Sequence, residues 1–169
     1  MEIIIFRHGI AVDRTAPNST SDENRELTSE GISKTRDAAL GLKKIAGTPS
    51  KIISSPLVRA RQTAEIIQPV IAPACSLETN KHLAPGIPLS KICSWLEVQK
   101  EKCLLLVGHM PDLAELASLL ISNTPSLEIR FKKAAACCIS FTGKCKAGTG
   151  CLEWLIQPKQ LRLCGRTKK

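Results

Sequence analysis

Two of the three histidines in the chain stand directly after short apolar runs. Residues 3–6, Ile-Ile-Ile-Phe, break into Arg7-His8-Gly9, and residues 103–107, Cys-Leu-Leu-Leu-Val, break into Gly108-His109-Met110-Pro111. Such runs read as buried central strands, and in open α/β sheets ligands sit in the crevice at the carboxyl ends of the strands. Another short strand is read over Lys51-Ile52-Ile53-Ser54, which leads into Ser55-Pro56 and then Arg59, in the first turn of the following helix. His8 is therefore read as a catalytic residue, with Arg7, Arg59 and His109 at neighbouring strand ends. This set is rich in cations and N–H donors. It suits a phosphoryl group, whose oxygens accept charge-assisted and often bidentate hydrogen bonds from guanidinium groups. His109 also opens a helix, where unpaired backbone N–H groups favour an anion.

Other chemistries fit less well. The sequence contains no Gly-x-x-x-x-Gly-Lys-Ser/Thr loop for nucleotide phosphates. Two arginines would repel a metal ion, the carboxylates lack ligand spacing and none of the eight cysteines forms a C-x-x-C pair, so neither metal nor cofactor is expected. Aromatic residues make up only 3% of the chain and Tyr is absent, which leaves few platforms for stacking bases; nucleic acid is not an expected partner. The apolar runs are too short for a membrane span or an export signal, and the cysteines then read as reduced fillers in a cytoplasmic protein.

The elements that must position these residues follow from local pattern. A polar stretch over residues 13–26 reads as a loop over the site. Thr28 caps a helix whose apolar positions recur to Ile45, and Gly47 and Pro49 end it. The segment after strand 51–54 reads as a helix with Ser55 as cap and Pro56 at its first position. Residues 69–90 hold four of the ten prolines and read as an irregular connection with one short strand near 75–77. A helix is expected over 89–99, and another after Pro111. Residues 135–141 and 151–156 read as an antiparallel hairpin on the sheet edge. The expected whole is a single domain over 1–169, ending in a basic, mobile tail from about 159. Charge is uneven: residues 1–129 carry 14 Lys+Arg and 14 Asp+Glu, whereas 130–169 carry 10 and 1, so the net +9 belongs to the last quarter. A basic end on a neutral body suits an acidic partner or an anionic substrate.

At this point the chain resembles the histidine phosphatase superfamily, in the branch with the R-H-G motif, and within it the small SixA-type phosphohistidine phosphatases. The resemblance rests on R-H-G at 7–9, R-E-L-T-S-E-G at 25–31, S-S-P-L-V-R-A-R-Q-T-A-E at 54–65 and G-H-M-P-D-L at 108–113. It implies a three-layer α/β/α sandwich around a mostly parallel mixed sheet, the phosphoglycerate mutase-like fold. It implies His8 as nucleophile, Arg7, Arg59 and His109 as the phosphate pocket, and a metal-independent route through a covalent phosphohistidine. Relatives that act on phosphate esters carry an acidic proton donor in the segment that here spans 79–86, where no carboxylate occurs. Imidazole leaving from a P–N bond needs less help than an alkoxide, so the missing acid favours a phosphohistidine substrate on a signalling protein, such as a histidine phosphotransfer domain. Candidate donors are His82 and Glu23, with Asp22 and Glu26 beside the latter. The alternatives are a small phosphorylated substrate or a silent module that binds phosphoproteins.

Overall fold

The computed structural model describes residues 1–15 and 21–166. Six strands, β1 (Glu2–Arg7), β2 (Lys51–Ser54), β3 (Ser76–Thr79), β4 (Cys103–Gly108), β5 (Ala136–Ser140) and β6 (Cys151–Ile156), form one sheet in the order β3-β2-β4-β1-β5-β6. The first four pair in parallel; β5 runs antiparallel to β1 and to β6, giving the expected mixed edge. Five helices complete the fold: α1 (Ser29–Ile45), α2 (Val58–Ile71), α3 (Leu89–Glu97), α4 (Asp112–Ser122) and α5 (Pro158–Gly165).

Side-chain alternation along the central strands builds two separate cores. Ile3, Ile5, Leu104 and Leu106 pack with Ile92 and Leu96 of α3 and with Leu113, Leu116 and Leu120 of α4. Ile4, Phe6, Leu105 and Val107 pack on the other face with Ala38 and Leu42 of α1, Ala60, Ala64 and Ile67 of α2, and Leu161 of α5. The fold is thus the three-layer α/β/α sandwich. Cys137 and Cys138 fall on opposite faces of the sheet, one in each core.

Register places the site. Phe6 lies opposite Val107 and Arg7 opposite Gly108, so two parallel strands buried on both faces end together. His8 and His109 leave the sheet side by side. On the other flank of β4, Ser54 lies opposite Val107, which brings Ser55 to the same edge.

Three local expectations give way to tertiary contacts. Ser55 does not cap α2, which starts at Val58 after an uncapped Leu57; its hydroxyl is turned toward His109 instead. Helix α2 continues through Pro69 to Ile71 although the proline has no N–H to give the preceding turn, because Ile67 and Ile71 on either side of it are buried in the core. Where a mobile tail was expected from about 159, α5 extends to Gly165 and buries Leu161 completely against α1. Gly41 permits that contact, since a Cβ there would stand 1.8 Å from the Leu161 carbonyl oxygen. Residues 167–169 of that tail and 16–20 of the expected 13–26 loop lie outside the described residues.

Candidate active site

His8 is 6% exposed, and its Nδ1 lies 2.7 Å from the carbonyl oxygen of Gly9. A carbonyl can only accept, so in the neutral ring Nδ1 carries the proton and Nε2 carries the lone pair. Gly9 is itself fixed: its N–H donates to Thr63 Oγ1 at 3.0 Å, and that hydroxyl donates to the Arg59 carbonyl at 2.6 Å. A side chain at position 9 would not fit, because a Cβ would come within 2.3 Å of Thr35 Oγ1. Burial pushes the His8 pKa down to about 3, and the charges of His109, Arg59 and Arg7 push the same way against the Gly9 hydrogen bond. The ring is neutral throughout the physiological range.

His109 is 3% exposed, with its ring centroid 5.1 Å from that of His8. Its Nε2 lies 2.7 Å from Ser55 Oγ, which also accepts the Leu57 N–H at 3.3 Å. In the tautomer where the serine hydroxyl donates to Nε2, Nδ1–H is the outward donor, the arrangement an anion ligand selects. Nδ1 is buried and has no partner among the described residues. Burial, followed by the charge of Arg59, lowers this pKa too, to about 3. His109 is therefore a neutral donor.

Arg7 is anchored through one terminal nitrogen and Arg59 through both. Arg7 gives Nη1 to the Phe131 carbonyl at 2.6 Å. Arg59, only 2% exposed, gives Nη1 to the Asp22 carbonyl at 2.6 Å and Nη2 to the Asp22 carboxylate at 3.2 Å. The Nε–H groups of both are buried without partners among the described residues. Three unmatched N–H donors thus come from β1, α2 and the β4–α4 junction, all close enough for both arginines to depress both imidazoles. Buried donors of this kind are costly unless a ligand takes them, which makes the cluster a candidate anion site.

Asp22 and Arg25 do more than the sequence indicated. Asp22, weighed there as a proton donor, accepts from Arg14 Nε at 2.7 Å and Arg25 Nε at 2.9 Å as well as from Arg59. Partial burial works against its charge, yet the arginines hold its carboxyl at about 2, too acidic to donate a proton near neutrality. Arg25 also donates to the Val12 carbonyl at 2.7 Å, tying the first loop shut beside Arg59. The only sequence signal for Arg25 is its place in R-E-L-T-S-E-G.

The remaining candidates diverge. His82 sits in a 3-10 turn with Nδ1 2.8 Å from Asn80 Oδ1 and its ring stacked on Trp95 at 5.4 Å. It lines a narrow cavity together with His109 and Asp112, which places it on the His109 side of the cluster. Glu23 lies in the turn at 22–24 and is exposed.

Comparison with known proteins agrees with this geometry. The sequence pattern of the histidine phosphatase superfamily (branch 1) matches residues 3–84. An uncharacterized protein of Picosynechococcus is 36% identical over 143 residues, covering 79% of this chain and 81% of its own. The chain belongs to the histidine phosphatase superfamily. Phosphohistidine phosphatase SixA of Escherichia coli is 26% identical over 167 residues, covering 96% of this chain and 98% of its own. A SixA structure complexed with tungstate superposes with a TM-score of 0.81 at 26% identity, covering 95% and 99% of the two chains. A phosphoserine phosphatase of Entamoeba histolytica shares the fold, with a TM-score of 0.67 at 16% identity over 95% and 98%. Among the described residues, this histidine phosphatase has no helix long and apolar enough to cross a membrane. Its chemistry is that of a phosphatase, and the cluster supplies what such chemistry needs: a neutral, oriented imidazole among fixed donors for phosphoryl oxygens.

Proposed function

We propose that this chain removes the phosphoryl group from phosphohistidine on a signalling protein, through a covalent phosphohistidine on His8. The observation that carries the reading is the His8 Nδ1 contact to the Gly9 carbonyl, which leaves Nε2 as the nucleophile. Arg7, Arg59 and His109 hold the three non-bridging oxygens and stabilise their charge as Nε2 attacks. An Nε2–P bond forms as the P–N bond of the substrate breaks, and the departing imidazole takes up a proton. Water then cleaves the new bond, releasing inorganic phosphate and restoring neutral His8. Transition-state charge is met by guanidinium groups, so no step calls for a metal.

The likeness to SixA supports a phosphoprotein substrate. So does the absence of a carboxylate from residues 79–86, with Asp22 committed to arginines nearby. His82, which shares a cavity with His109, is the candidate to protonate the leaving group, and exposed Glu23 the weaker one. The eight free thiols suit the reducing cytoplasm. Rapid-quench trapping with labelled phosphodonors tests the reading. Acid-labile, alkali-stable label should appear on the wild type and be absent from His8→Ala. Turnover of a phosphohistidine protein should exceed that of sugar phosphates by at least about a hundredfold in kcat/KM. Preference for sugar phosphates would instead favour a small-molecule phosphatase.

A further inference from the structure

Arg7 belongs to two places at once. Besides its buried Nε–H beside His8, it lines a groove of about 540 Å³ that runs from the end of β1 between the first turns of α1 and the start of α5. Five more cations line the same groove: Lys34, Lys132, Lys133, Lys159 and Arg162. Among the described residues no Asp or Glu lines it. Four of these five come from the last quarter of the chain, which holds the whole net charge of +9, so the tertiary fold delivers the basic end of the sequence to the mouth of the catalytic site.

The segment that presents Lys132 and Lys133 is built rather than loose. Ala134 adopts a left-handed backbone, φ 64°, which a side-chain-bearing residue adopts only at a cost. Its N–H donates to the carbonyl oxygens of both Arg7 (3.1 Å) and His8 (3.2 Å). Gln157 ties the other side, accepting the Lys132 N–H at 3.2 Å and donating to the Arg130 carbonyl at 2.5 Å. Phe131, between them, supplies the carbonyl that anchors the Arg7 guanidinium. Both lysine side chains are exposed while their backbone is locked to the catalytic strand.

The chemistry of the groove selects its occupant. Apart from Arg7, its cations are spread over three segments on mostly flexible stems, without a second set of buried, converging cationic donors among the described residues. That arrangement suits diffuse negative charge better than one further phosphate held at a fixed point. Among the described residues no aromatic side chain lines it, which leaves a nucleic-acid strand no platform there to stack on. We propose that the groove is a docking site for a carboxylate-rich segment of the phosphoprotein substrate, which it steers so that the phosphohistidine enters beside Arg7 and His8. This rests on the phosphohistidine reading given above for the catalytic step, though the docking can be measured without turnover.

The test uses the full chain, two double charge reversals (Lys132→Glu with Lys133→Glu, and Lys159→Glu with Arg162→Glu), and three readouts. The first is anisotropy of a labelled, unphosphorylated Asp/Glu-rich peptide. Wild type should bind it at about 20 mM salt and lose it by about 300 mM, as exposed charges are screened, and both reversals should weaken binding at least about tenfold. The second is kcat/KM for an acidic phosphohistidine protein, expected to fall at least about tenfold in the reversals at low salt with kcat held within about twofold. The third is hydrolysis of phosphoimidazole, expected to stay within about twofold of wild type, which also certifies folding. Absence of peptide binding by the wild type, or binding indifferent to the reversals, would overturn the docking site whatever the enzyme hydrolyses. Equal loss of phosphoimidazole turnover in correctly folded variants would overturn it as well, by making the lysines part of the phosphate pocket. Salt-sensitive peptide binding with no turnover of any phosphohistidine substrate would uphold the groove and reject the catalytic reading.

Discussion

Ser55 Oγ stands 2.7 Å from His109 Nε2, so a residue at the end of β2 sets the proton position on a ring at the end of β4. When Ser55 gives its proton to the imidazole, His109 presents Nδ1–H, which has no partner among the described residues, to the proposed phosphoryl site. Ser55→Ala frees the ring to adopt the other tautomer. A loss of about ten- to a hundredfold in kcat is expected with a smaller change in KM, partly restored by Ser55→Thr. Unchanged kcat in a folded Ser55→Ala would assign the serine to packing alone.

Asp22 places a carboxylate 3.2 Å from Arg59 Nη2, where it shares that guanidinium with any phosphoryl group. Asp22→Asn keeps a carbonyl oxygen in place and removes the charge. Inhibition by inorganic phosphate should become about three- to tenfold tighter at low salt, with the difference shrinking as salt rises. Weaker inhibition would mean that orienting Arg59 outweighs the repulsion.

The depressed histidines make stability pH-dependent in a defined window. Both titrate near 3 in the folded protein against 6.5 ordinarily, so above about pH 6.5 neither state binds the protons. Between about 6.5 and 3 the unfolded chain takes them up and the folded chain does not, so stability falls as the pH falls. Each ring contributes up to about 1.4 kcal/mol per pH unit in that range. Urea denaturation should give a steeper loss between pH 6.5 and 4.5 for wild type than for His8→Asn. Parallel curves would place the His8 pKa near its ordinary value.

Gly31 marks the closest approach of α1 to the segment after His8: a Cβ there would lie 2.0 Å from the Ile10 carbonyl oxygen, a backbone atom that cannot step aside alone. Gly31→Ala should cost about 2–4 kcal/mol in urea unfolding and lower kcat/KM, since the displaced chain includes the Gly9 carbonyl that orients His8. A variant as stable as wild type would show that α1 can shift independently of the site.

Much of this was legible in the residues taken in order. Runs 3–6 and 103–107 are apolar enough to read as buried strands, and Lys51-Ile52-Ile53-Ser54 reads as a third short one. Thr28 caps α1 as expected, its side chain accepting the Gly31 N–H. Arg7, His8, Arg59 and His109 could be picked out because each follows such a strand. Neighbour spacing encodes these features, so no tertiary information was needed to find them. Partners far apart in the chain were another matter. Ser55 has the sequence signature of a helix cap, and only the order β2-β4-β1 sets His109 between it and His8. Asp22 reads as a candidate proton donor and Arg25 only as part of R-E-L-T-S-E-G until the fold closes them over Arg59. The basic end reads as a tail because one buried leucine, Leu161, is a weak local signal, and its docking needs the gap at Gly41 on a helix well over a hundred residues earlier. Composition alone determined how much positive charge the chain carries; the packing of α5 on α1 decided that it lines a groove at the catalytic strand, because charge has a place only once the backbone beneath it has one.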